Sequence, residues 1–232
     1  MRVLVAIILL AACLNGCSNV DDANYRDYFS ATAVDGKTRH YVYNTVAKEE
    51  GEVYNNKAIR RISKISKNRI ELVEYTYLTD YDTTIRVDST IMEMRKDGIY
   101  VIKSFINGGD DWQQLSMKST LSFPYNWEKG RDVFTSWKST YKGEPMESSG
   151  EQAFTGCQER NVTGYGKVNV AIREGVQKRI YKGETITSSI EKWDVKGLGL
   201  YRYKSITGES SYEMEYECEI SKEDYEGYLI RR

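Results

Sequence analysis

The sequence predicts an all-β protein, a single antiparallel meander forming a strongly curved sheet or half-open barrel. Three observations carry this. Runs of alternating polarity recur along most of the chain, glycine-containing punctuators such as KDG, NGGDD, REG, YKGE and TGES separate them, and little room is left for crossover helices. Nineteen tyrosines against five phenylalanines suit strands whose side chains lie half in a core and half in water, because tyrosine couples a large apolar ring to a polar tip. Two prolines in 232 residues argue against a disordered or linker-rich protein.

The amino terminus, MRVLVAIILLAACLNGCSNVDD, starts with Arg2 and continues as an apolar run from Val3 to Leu10, the anatomy of a secretory signal. Even extended to Leu14 the run makes a helix of about 18 Å, against roughly 30 Å of bilayer hydrocarbon, so it is not a membrane span. Residues 19–27 read as a short tether or first helical turn. The strands follow as TRHYVYNTV, NRIELVEYTYL, TTIRVDSTIMEM, GIYVIKSF, WQQLSMKSTLSF, DVFTSWKSTY, KVNVAIREG, VQKRIYKG, TITSSIEKW and LGLYRYKSI. The clearest strand is YEMEYECEIS, where Tyr212, Met214, Tyr216, Cys218 and Ile220 alternate with four glutamates, so Cys218 is expected to point inward. Near LSFPYNWEKGRD (121–132) the chain divides into two β-rich halves, across which one curved sheet is expected to continue. Residues 28–232 are then one antiparallel β domain.

Charge excludes some partners. Thirty-three Lys plus Arg against 34 Asp plus Glu leave no global field to recruit nucleic acid. The stretch KAIRRISKISKNR (57–69) holds six basic residues and no acid, and reads as a solvated basic face balanced by Glu49, Glu50 and Glu52.

Motifs for catalysis fail on context. His40 is the only histidine and has no Gly-x-Ser-x-Gly companion, so it reads as structural. Ser139 and Lys142 match Ser-x-x-Lys, but on a strand residues three apart face opposite sides. The Gly-x-Gly fragments at 164–166 and 197–199 lack the strand-to-helix context of a dinucleotide site and read as hairpin turns or bulges. No metal site and no cofactor are expected, and the chain is read as not an enzyme. Trp112, Trp127, Trp137 and Trp193 are candidates to line a ligand site on the concave face, since stacked rings bind both apolar and glycan ligands.

The amino terminus also resembles a bacterial lipoprotein signal, in which a cysteine preceded by an aliphatic and two small residues is acylated. Both LAAC at Cys13 and LNGC at Cys17 fit; the Ser18 context and cysteine parity favour Cys17. The organisation is then a signal peptide at 1–16, a lipidated tether at 17–27 and the β domain at 28–232. By the same resemblance, Ser18 directly after the lipidated cysteine implies the outer membrane. More broadly, YFSATAVDGKTRHYVY, the FP-x-x-W-x-x-G turn, GEQAFTGCQE and GLGLYRYKS resemble a diffuse group of uncharacterised all-β envelope proteins with a half-open barrel similar to the lipoprotein-carrier fold.

The reading is a non-enzymatic, lipid-anchored envelope protein acting as a structural or protein-interaction module. The alternative is a binding module for an apolar or glycan ligand in the concave face. Cys157 and Cys218 would be the thiols left in the mature domain. An oxidising compartment favours pairing them, worth roughly 4 kcal/mol in the chain-entropy argument, while a meander would set several strands between them.

Overall fold

The computed structural model describes residues 26–78, 83–107, 112–115, 119–125, 132–141 and 144–230. Two short helices, α1 (Arg26–Phe29) and α2 (Thr32–Asp35), precede thirteen strands, and a third helix, α3 (Lys222–Ile230), follows them. The strands are β1 (Arg39–Glu49), β2 (Glu52–Ser66), β3 (Arg69–Leu78), β4 (Thr83–Met94), β5 (Gly98–Asn107), β6 (Trp112–Leu115) and β7 (Thr120–Pro124). The second half adds β8 (Asp132–Tyr141), β9 (Glu144–Val162), β10 (Gly166–Tyr181), β11 (Glu184–Val195), β12 (Gly199–Thr207) and β13 (Ser210–Ile220).

All thirteen strands belong to one antiparallel sheet, ordered β6-β5-β4-β3-β2-β1-β13-β12-β11-β10-β9-β8, with β7 also on β5. The sheet curls into a half-barrel. Every strand on this path pairs with a sequence neighbour, except that β13 returns to β1. One sheet was expected to run across the mid-chain turn; instead the two halves join through the chain's ends. The described residues show no ladder between β6 or β7 and β8, which lie side by side as an open seam.

The sheet curls around the first helices. Ala33 of α2 packs with Tyr41, Tyr43, Ile62, Ile70, Met214 and Tyr216, while Tyr28 of α1 packs with Met92, Ile99, Phe123, Phe154 and Ala171. Strands this far apart in the path can meet one short segment only on the concave face. Arg39 locks the segment to β1, donating from both terminal nitrogens to the Asp35 carboxylate at 2.8 and 2.6 Å, which holds that carboxyl well below the usual range. Ala31 N–H donates to Gly197 O at 3.1 Å, closing the plug onto the β11–β12 turn.

Helix α3 covers the convex face of β1 to β3. His40, buried, stacks on Tyr225 with ring centroids 4.5 Å apart, and Tyr75 and Tyr77 meet Tyr225 and Tyr228. Burial, reinforced by the nearby Arg61 guanidinium, holds the His40 imidazole below its ordinary pKa. A capping signal for α3 stands in the sequence: Ser221 Oγ accepts from Asp224 N–H at 3.0 Å and donates back to the Asp224 carboxylate at 2.8 Å.

Several expectations are corrected. KVNVAIREG and VQKRIYKG are one strand, β10, with Gly175 in mid-ladder; a Cβ there would lie 1.9 Å from Glu151 O, so glycine permits close strand approach instead of making a turn. Cys218 does not share the face of Tyr216. Cys218 opposes Val42 and Tyr216 opposes Tyr43, so Glu217 is an extra residue at a bulge, and the bulge turns Cys218 to the convex side. Cys157, on β9, packs instead against the core around Phe154. No disulfide joins these cysteines, because β10, β11 and β12 stand between their strands. The basic stretch is balanced, but not by Glu49, Glu50 and Glu52: Lys57 pairs with Glu217, Arg60 with Glu74, Arg61 with Glu71 and Arg69 with Glu93.

Candidate functional site

The concave face changes character along the barrel. Around the helical plug it is apolar; beyond it the inward rows carry charge. Arg60 of β2 opposes Glu74 of β3, and its Nε donates to Glu74 Oε2 at 2.9 Å. The Arg60 guanidinium also lies 4.8 Å over the Tyr43 ring. Arg173 of β10 donates from Nε and Nη2 to Asp194 Oδ2 of β11 at 2.9 and 2.7 Å, and lies 5.0 Å over the Phe123 ring. Asp194 is 2% exposed and Arg173 8%. Burial pushes the Tyr43 hydroxyl up to about 12, and that hydroxyl donates to Leu200 O at 2.9 Å.

Lys192 stands apart from these pairs. It directly opposes Arg173 on one side and Tyr203 on the other. Among the described residues it makes no ion pair, and its ammonium lies 5.9 Å over the Tyr203 ring. Desolvation, with help from the like charges of Arg173 and Arg60 and against the opposing charge of Asp194, pushes its pKa down to about 8.

Register extends this into a band. Arg173, Lys192, Tyr203, Met214, Thr45 and Asn56 oppose one another in turn across β10, β11, β12, β13, β1 and β2, with no bulge interrupting the row. Thr45 Oγ1 and Asn56 Oδ1 in this row are buried without a hydrogen-bond partner, as are Gln152 Oε1 and Ser148 Oγ on β9. The band can therefore offer one unneutralised cation beside several polar atoms.

Of the tryptophans expected to line a site, Trp193 is the one whose side chain is described. Cys13, Cys17 and Trp127 lie outside the described residues, as do the side chains of Trp112 and Trp137. Trp193 faces away from the concave side: it opposes Arg202, which pairs with Glu213, and its ring lies between the guanidiniums of Arg160 and Arg202, each 5.1 Å from the ring. A shallow depression beside it is lined by Glu159, Arg160, Asn161 and Lys167. Ser139 lies on strand β8, and the fragments at 164–166 and 197–199 lie at hairpins. No group of three or more His, Cys, Asp and Glu suited to a metal ion occurs among the described residues.

Sequence reading missed Lys192, Arg173 and Asp194. Their signal was present in SIEKWDV, where Ile190, Lys192 and Asp194 share one period-two row, but a charged residue in a row with an isoleucine reads as the wet face of a strand.

No family model matches the chain, and no curated protein sequence matches it. Solved structures do. A chain from Bacteroides fragilis NCTC 9343, provisionally named an exported protein with a YmcC-like fold, superposes with a TM-score of 0.55 at 12% identity over 79% of this chain and 95% of that one. A chain from Parabacteroides distasonis ATCC 8503, provisionally named a lipoprotein, gives a TM-score of 0.56 at 10% identity over 83% of this chain and 98% of that one. At these identities the likeness is one of architecture, and the half-open barrel described above is a fold of the YmcC-like kind.

Proposed function

We propose that the chain is a lipid-anchored protein of the bacterial cell envelope that works without catalysis, as a structural or protein-interaction module. One observation carries the interaction reading. Of the exposed large apolar residues, Val53, Tyr54, Val176, Ile180, Ile186 and Ile206 gather at one rim, where the β1–β2, β10–β11 and β12–β13 hairpins turn. On its convex side Val176, Ser189, Ile206, Ser211, Lys48 and Val53 form one row across adjacent strands. An apolar rim edged by polar residues is the surface of a protein contact.

The rim lies at the opposite end of the barrel from the helical plug by which the chain enters. A tether at the plugged end would leave the rim facing away from the membrane. Supporting the anchor are the LNGC-Ser context of Cys17 and the exported or lipoprotein naming of the structural relatives. Placement at the outer membrane rests on Ser18 alone.

Cys17→Ala is expected to abolish fatty-acid labelling and release the chain from the membrane fraction or leave it unprocessed; if Cys13→Ala does this and Cys17→Ala does not, the assignment fails. Photo-crosslinkers at Ile180 and Ile206 are expected to give discrete protein adducts in living cells, whereas one at Lys167, at the other end of the barrel, gives none. Equal adducts at all three positions would remove the interaction reading.

A further inference from the structure

We propose that the polar band of the concave face is a binding site for a small anionic molecule that also bears hydroxyl groups, with its negative charge on Lys192. This goes beyond the anchoring and docking reading and does not depend on it.

Charge sets the first requirement. Two guanidiniums and one ammonium face this part of the interior, but Arg60 and Arg173 already hold Glu74 and Asp194. Lys192 is left with a ring face as its only described contact. A partly buried ammonium without an ion-pair partner is costly to maintain, and one incoming carboxylate or phosphate oxygen would satisfy it. The row sets the second requirement. Thr45 and Asn56 stand in the same inward row as Lys192; the unpartnered Asn56 Oδ1 accepts and the Thr45 hydroxyl both donates and accepts, and ligand O–H groups satisfy both. Tyr203, beside Lys192 in that row and only partly buried, supplies an aromatic face against which a sugar-like ring can lie. A fatty acyl chain fits the band poorly, because it would leave Thr45 and Asn56 unsatisfied.

The groups facing Lys192 are Arg173 on β10, Asp194 on its own strand, Tyr203 on β12 and Arg60 across the barrel. With its pKa at about 8 in the ligand-free protein, the amine is mostly charged at neutral pH and loses its proton as pH rises through 8. Anion binding is therefore strongest at or below neutral pH and weakens above pH 8.

The test uses the purified protein with three probes: glucuronate, glucose 6-phosphate and glucose. At about 10 mM, at least one of the two acids is expected to raise the melting temperature by several degrees, while glucose leaves it unchanged. A response to glucuronate alone identifies a carboxylate ligand, and a response to glucose 6-phosphate alone a phosphate ligand. Lys192→Met is expected to fold at least as stably as the parent, since an apolar chain of similar length replaces an unpaired charge, and to bind the acid about tenfold or more weakly. Lys192→Arg keeps the charge and is expected to keep binding, and Lys167→Met, outside the band, is expected to change nothing. Absence of response to both acids, an equal response to glucose, or binding retained in Lys192→Met overturns the proposal.

Discussion

Asp194→Ala is expected to cost about 3–5 kcal/mol of folding stability, read as a lower urea midpoint and a melting temperature lower by about 10 °C. Asp194 accepts two hydrogen bonds from Arg173, one from Nε and one from Nη2, and the pair is almost completely shielded from solvent. Removing the carboxylate takes both of these hydrogen bonds from a guanidinium that stays charged in a nearly solvent-shielded place, so the loss exceeds that of an exposed ion pair by several-fold. It also removes the carboxylate whose field supports a proton on Lys192. The matched control is Arg173→Met with Asp194→Leu. Replacing both partners with apolar side chains is expected to recover most of the loss, because removing one member of a buried ion pair costs more than the pair is worth in net stability. A loss below about 1 kcal/mol in the single variant would show that water reaches Arg173.

Gly199→Ala is the second large effect. Gly199 opens β12 at φ +91°, a left-handed value that costs an L-residue about 1–2 kcal/mol. An added Cβ would also lie 1.9 Å from the carbonyl oxygen of Phe29 and 2.8 Å from its carbon. Both are backbone atoms of the segment that plugs the barrel, so relief requires the plug to move. With overpacking added, the total is about 2–5 kcal/mol. Because the displaced segment includes α1 and α2, trypsin cleavage at the exposed Lys37 is expected to accelerate along with the drop in melting temperature. An unchanged melting temperature and cleavage rate would mean that the plug does not sit against β12 as described.

Fold class was legible because polarity with period two survives in most strands: β4, β8 and β13 were marked almost to the residue. What misled the reading was local. REG looks like a turn because glycine usually marks one, yet Gly175 serves strand approach. The inward assignment of Cys218 assumed unbroken alternation, and a bulge adds one residue that the sequence does not mark. α3 went unnoticed because SKEDYEGYL has no apolar stripe of any length, although Ser221 and Asp224 form a cap. The aromatic candidates were chosen by residue type, and Trp193 shows that type alone does not choose a face. The charged band escaped because pairing Arg173 with Asp194, or Arg60 with Glu74, requires the strand register, which exists only once the sheet has formed.

The joining of β1 to β13 governs when this protein can fold. His40 opposes Ile220, so the ladder that unites the two halves links residues 180 positions apart, and β13 is the last of the described strands. Until that strand is made, β1 keeps a bare edge and neither half can enclose the plug. A nascent chain is thereby kept from closing the sheet until β13 has been made, and closing so long a loop is slow. Under the envelope reading proposed above, the chain would be threaded unfolded through a translocation channel, and this delay would be useful. Its cost would fall on the far side of the membrane, where the open edge of β1 is a template for aggregation until β13 arrives.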